Sequence, residues 1–407
     1  MSLATLRARI PAINSWLLAG VFFCIPIQVA PAFWLTAAIL LLWLVEGRYA
    51  DKLRTALAEP LTWIFAAYYG VFLLSMLWTE DKAWGWRMVG KQQFFLLFPL
   101  YFTVARREHL GRYVGAFLLS VSMCELLAFY NWAQLHLWPG LPDGIRVDKG
   151  ADDTAPFVDR ILYTPSLALA GYLAGHRLLF EAQSLRSRAM YALLLLSTTV
   201  NLLISGGRAG LVGFLALLAL LVFQRFARRP LMAAATASLL IAAVVLGGYH
   251  ANSYFKARVD DAIDQVSHYE ERPNSSVGLR IVYSTNAWRI YAEHPLLGVG
   301  AGDYPEEYRK MNALHTPRWK PAWNPHSQYL LALTSAGLAG GAALLAVLLV
   351  PLLRDRPAGD RRRIGRALPV LFIVLCLFES YLMRSNTSLM YVLFLAALWR
   401  GTGDANA

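Results

Sequence analysis

The sequence predicts an all-α polytopic membrane protein of about twelve transmembrane helices, with one large helical loop between the ninth and tenth. Three observations carry this. Of the 407 residues, 57% are hydrophobic and only 16% charged, against roughly 25% charged in a soluble globular domain. Apolar runs near the length of about 20 residues that crosses a hydrocarbon core recur along most of the chain. Lysine and arginine alternate, crowding every second connection and nearly missing from those between. The tryptophans, 13 in number, suit anchoring of helix ends at the interface.

Taken in order, the apolar segments lie near 12–27, 31–46, 60–78, 84–104, 112–137, 159–180, 189–206, 208–224, 230–250, 326–353, 365–383 and 386–400. The first is followed at once by the second, as in a first spanning helix rather than a cleaved signal peptide. Basic connections carry Arg7 and Arg9; Arg48, Lys52 and Arg54; Arg106, Arg107 and Arg112; Arg177, Arg186 and Arg188; Arg225, Arg228 and Arg229; Arg354 to Arg366; and Arg400. The positive-inside rule then puts both termini in the cytoplasm and makes the number of spans even. Much of the net charge of +12 is thereby topological and calls for no nucleic acid. The cytoplasmic connections are too short for a nucleotide-binding domain. Cys24, Cys124 and Cys376 sit inside apolar runs, as packing residues with no disulfide framework.

The chain so divides into helices one to nine over 1–250, with a short outer loop at 138–158; an outer loop at 251–325; and the last three spans with a cytoplasmic C-terminus over 326–407. In the large loop, Phe255, Val259, Ala262, Ile263 and Val266 give helical spacing over 253–269. A second amphipathic helix is expected over 278–294, with Ser275 or Ser276 as N-cap. The glycine run from His294 to Gly302 follows no strand and contains no GxGxxG, so it reads as a turn.

Six cations break the inside-positive pattern. Arg87 and Lys91 share one face of the fourth span, with Lys91 roughly 10 Å deep along a continuous helix. Arg160 opens the sixth span, Arg208 the eighth and Arg280 the loop's second helix, while Arg384 stands near the outer end of the eleventh. Ionisable groups inside spans are costly and default to functional hypotheses. The plainer reading lets each snorkel to headgroups or pair with Glu125, Asp159 or Glu379. His326, after Asn324-Pro325, is expected in the first turn of the tenth span, where the helix dipole favours a neutral imidazole and attracts anions. It reads equally as a base or as an interfacial capping residue. A cationic cluster beside it suits a lipid-linked phosphate or diphosphate. The acidic pairs Asp152-Asp153 and Asp260-Asp261 have no histidine at ligand spacing, so neither a metal nor another cofactor is expected.

With these residues placed, the sequence resembles the O-antigen ligase and polymerase (Wzy_C) family of bacterial envelope glycosyltransferases. The resemblance rests on Ser205-Gly-Gly-Arg208-Ala-Gly-Leu, on Gly278-Leu-Arg280 leading to Trp288, on His294-Pro-Leu-Leu-Gly-Val-Gly-Ala-Gly302, and on Asn324-Pro-His326-Ser-Gln-Tyr-Leu followed by Gly337-Leu-Ala-Gly340. It covers about the second half of the chain. Ser327 departs from the asparagine that many relatives carry there, which puts an amide contact at that position in doubt.

The resemblance implies a GT-C type enzyme of the bacterial inner membrane with its active site facing the periplasm. The donor would be an undecaprenyl-diphosphate-linked glycan and the acceptor a lipid A–core oligosaccharide, with membrane lipids around a monomer. His326 would be the base, with Arg208 and Arg280 holding the diphosphate, helped by Lys91, Arg87, Arg160 and Arg384. The small 138–158 loop favours a ligase over polymerases, which commonly have two large outer loops, and over the usually longer protein O-oligosaccharyltransferases. From another class, a transporter of lipid-linked sugars would also want a cationic cleft, but places charge near the midplane and often shows repeats.

Overall fold

The computed structural model describes residues 3–147, 153–181, 184–271, 274–354 and 359–400. They form α-helices joined by short turns, with no strand among the described residues. The first helices are α1 (Leu3–Cys24), α2 (Val29–Glu46), α3 (Tyr49–Leu57) and α4 (Pro60–Ser75). They are followed by α5 (Lys82–Gly90), α6 (Phe98–Val104), α7 (Leu110–His136), α8 (Arg160–Phe180), α9 (Leu185–Ile204), α10 (Arg208–Arg225) and α11 (Pro230–Ala251). The loop 251–325 holds α12 (Ser253–Ser267), α13 (Ser276–Glu293) and α14 (Tyr304–His315), and the chain closes with α15 (Gln328–Leu353), α16 (Asp360–Phe378) and α17 (Ser385–Trp399).

Among the described residues, six stretches are long and apolar enough to cross a membrane by themselves: α2, the run Arg107–His136 that contains α7, α9, α10, α11 and α15. A seventh is reached if α3 and α4, bent by 79° at Glu59-Pro60, count as one. The protein is thus a polytopic helical membrane protein. Every residue of α17 from Asn386 to Trp399 is buried, as is α8 from Tyr163 to His176. A helix apolar all round belongs inside a bundle. By contrast only 17% of the α11 span and 22% of the α2 span are buried, so these two face outward.

Three expected spans have different shapes. The segment 84–104 is not one helix: α5 ends at Gly90, Gln93–Leu97 forms a 3-10 turn, and α6 restarts before Pro99. The polar pair Gln92-Gln93 and that proline interrupt the apolar run, so depth cannot be counted along a straight helix to Lys91. The eleventh segment starts earlier and stops at Phe378, and Glu379 to Arg384 form a turn with a 3-10 core at Tyr381–Met383. The tenth begins only at Gln328, capped by Ser327, whose hydroxyl accepts the Leu330 N–H. His326 therefore precedes the helix instead of occupying its first turn.

α15 is also broken, at Ala336 and Gly337. The glycine run of the 251–325 loop fills that break. Val299 N–H donates to Thr334 O at 2.7 Å, Gly300 N–H to Ser335 O at 3.1 Å, and Leu338 N–H to Pro295 O at 3.0 Å. Two backbones can meet this closely only without side chains: a Cβ on Gly337 would stand 2.1 Å from Leu296 O. Gly298, Gly300 and Gly337 all have positive φ, which glycine adopts freely. Next to them, the Asp303 carboxylate accepts the N–H groups of Glu80 and Asp81 at 2.7 and 2.8 Å. The run is a turn, as its sequence suggests, and it ties the loop to both α15 and the α4–α5 corner. Ser275 caps α13 as expected. α14 lies outside the two expected loop helices, although Pro305, Glu306 and Glu307 in its first turn are ordinary start signals.

Candidate active site

The turn after α16 and the segment before α15 meet at one end of the bundle. His326 is held in the left-handed region at φ 52°, with its N–H bonded to Asn324 Oδ1 at 3.0 Å. Asn324 also donates to Glu379 Oε1 at 3.2 Å and accepts from the Ser380 hydroxyl at 2.8 Å. The two segments are thus stapled by an asparagine.

Glu379 Oε2 lies 2.7 Å from His326 Nδ1 and 3.3 Å from Arg384 Nη2, while the Ser380 N–H donates to Oε1 at 2.8 Å. The Glu379 side chain is 2% exposed and that of His326 28%. Burial works against the Glu379 charge, but the His326 ring, Arg384 and the Ser380 N–H outweigh it and hold the carboxyl down at about 2. An ionised carboxylate only accepts, so Nδ1 donates to it, and in the neutral ring Nε2 is then the acceptor. Tyr283 of α13 stacks on the imidazole, ring centroids 5.5 Å apart and 19° from parallel.

Most of the expected cations converge here. Lys91 is in electrostatic range of Arg384 and Glu379, and its ammonium sits 4.7 Å from the Trp323 ring centroid. Tyr381 is in range of Glu379, Arg384, Arg280 and Asp159, and Arg280 of Arg208. Arg208 is not a free clamp: Nη2 bonds Asp261 Oδ2 at 3.2 Å and Arg258 O at 3.4 Å. Its buried Nε and Nη1 have no partner among the described residues, nor has Nε of Arg258. The N-termini of α8 and α10 touch, since Cβ atoms on Gly207 and Gly210 would overlap Thr164. Arg160 stands on that flank, its N–H bonded to Asp153. Arg87 is exposed and stays at the margin, 5.9 Å from the Trp84 ring.

Arg384, and not the whole set, follows the plainer reading of pairing with Glu379. Glu379 itself went unrecognised as the partner of His326, and a lone buried carboxylate at the end of an apolar run was the available signal. Arg258 and Tyr283 carried none. Asp261 of the acidic pair Asp260-Asp261 is ion-paired, whereas Asp152 of the other pair lies outside the described residues. Among the described residues no three His, Cys, Asp or Glu side chains are grouped so as to hold a metal ion.

Fold and site together define a polytopic helical membrane protein with a histidine–carboxylate pair set among cations at one end. Residues 192–345 match the model of the Wzy_C family, described as O-antigen ligase, and over that stretch the chain is similar to this family of glycosyltransferase-like enzymes. The match runs from α9 into α15 and contains Arg208, Arg280 and His326; Lys91, Arg87, Arg160, Glu379 and Arg384 lie outside it. A comparison with curated proteins finds no match.

Proposed function

We propose that the protein is an O-antigen ligase of the bacterial inner membrane. It transfers a glycan from undecaprenyl diphosphate to a lipid A–core acceptor at the periplasmic face, with both termini cytoplasmic. The observation that carries this reading is the His326–Glu379 pair, with no partner on Nε2 among the described residues, beside Arg384 and Lys91 and with Arg208 in range of Arg280. Nε2 takes the proton of the acceptor hydroxyl as the oxygen attacks the anomeric carbon. Glu379 fixes the ring and stabilises the imidazolium, as in other histidine–carboxylate pairs. The C–O bond to the diphosphate breaks with its electron pair, and the arginines stabilise the charge that develops on the leaving group. One displacement without an enzyme nucleophile inverts the anomeric centre.

In this reading 1–250 and 326–407 form the membrane body, and 251–325 contributes Arg280 and Tyr283 over the site. The test is transfer by purified protein from lipid-linked donor to core acceptor, without nucleotide and in EDTA. Transfer is expected to persist. Complete loss restored by Mg²⁺ or Mn²⁺ would show that the cations do not replace a metal. Growth of the donor glycan in place of core modification would identify a polymerase.

A further inference from the structure

A cavity of about 590 Å³ lies at the other end of the bundle, lined from α1, α2, α3, the α6–α7 turn and Arg400. α17 connects the two ends: Arg384 at its start belongs to the active site and Arg400 at its close lines this cavity. Its size is that of a small-molecule site.

Most lining charges are internally matched. Lys52 pairs with Glu46 at 2.8 Å, Arg48 with Asp51 at 3.3 Å and Arg106 with Glu108 at 3.6 Å. Arg107 and Arg400 have no carboxylate within ion-pair reach among the described residues, and Arg400 lies 5.6 Å from the Phe102 ring instead. The second observation is Asn14. It lines the cavity, is 1% exposed, and neither its amide nitrogen nor its oxygen has a hydrogen-bond partner among the described residues. A buried amide in that state costs stability unless something in the cavity bonds it.

The geometry points to a binding site for a phosphate group, with Arg107 and Arg400 meeting its charge and Asn14 donating to an oxygen. In the orientation proposed above, on which this rests, the cavity opens in the cytoplasmic leaflet. Anionic phospholipids supply phosphodiester headgroups there, and basic pockets between helices are where they lodge. Inorganic phosphate has the same chemistry and reaches the same face.

The experiment uses full-length protein in detergent, titrated with phosphatidylglycerol, phosphatidylcholine or inorganic phosphate, with thermal unfolding and native mass spectrometry as readouts. No orientation or transfer activity enters the measurement, so its failure leaves the ligase reading standing. Half-saturation by phosphatidylglycerol is expected at about 30-fold lower concentration than by phosphatidylcholine. The double variant Arg107→Ala/Arg400→Ala is expected to lose that difference. Asn14→Leu separates binding from structure: removing an unpaired buried amide is expected to raise the unfolding midpoint of the lipid-free protein while shrinking the shift by phosphatidylglycerol. Stabilisation by phosphate alone, lost in the double variant, would assign the site to the free ion. Equal response to the two lipids and none to phosphate, or a preference that survives the double substitution, overturns the proposal.

Discussion

At the residue scale, base and clamp separate experimentally. His326→Ala removes the proton acceptor but leaves the cations, so turnover should fall about 10²–10⁴-fold while binding of undecaprenyl diphosphate survives. Glu379→Gln keeps the shape and removes the charge that sets the ring, and should cost turnover about 10²-fold or more with donor binding retained. Arg280→Ala should lower donor affinity and turnover together, by about 2–5 kcal/mol, and Arg280→Lys should restore only part. Arg280 is the cleaner test, because Arg208→Ala also breaks the ion pair with Asp261. Loss of lipid binding in His326→Ala, with Arg280→Ala unaffected, would reverse the roles. Glu379 has a pH signature as well. Its carboxyl is depressed to about 2 when folded, against about 4.3 unfolded. Its contribution to stability is therefore complete above the unfolded value and is lost as pH falls from there towards 2. The unfolding midpoint of Glu379→Gln should lack that part of the acid dependence.

At the element scale, the break in α15 and the glycine run exist for each other. The broken helix presents Thr334 O, Ser335 O and Leu338 N–H, and the loop bonds all three. Unpaired, such buried groups would each cost about 1–3 kcal/mol. Gly337→Ala forces a Cβ against Leu296 O in a backbone region that disfavours side chains. Asp303→Ala strands the N–H groups of Glu80 and Asp81. Both variants should unfold at clearly lower temperature, measured in detergent, and an unchanged midpoint for Gly337→Ala would show that the contact is not needed. The turn at 294–302 and the N-cap Ser275 were legible because glycine, proline and serine act locally. The α15 break was not, since Ala336-Gly337 inside an apolar run looks like any helix interior until the loop docks on it.

For the whole molecule, orientation is the claim to test. Glu293→Cys on α13 should react with an impermeant thiol reagent in intact spheroplasts and Arg186→Cys should not; the native cysteines are all buried and give little background. The opposite pattern would overturn the periplasmic site. By itself the sequence determined that the chain is helical and membrane-embedded, and it marked the cations that break the pattern of basic connections. Those properties come from composition and from patterns a few residues long, because hydrocarbon thickness and charge cost act on each segment separately. Only the tertiary structure decided that His326 precedes its helix, that Glu379, 53 positions away, fixes its ring, and that Arg208 answers to Asp261. Such pairs depend on which helix ends become neighbours, and packing of the buried α8 and α17 sets that, with no local residue pattern to announce it.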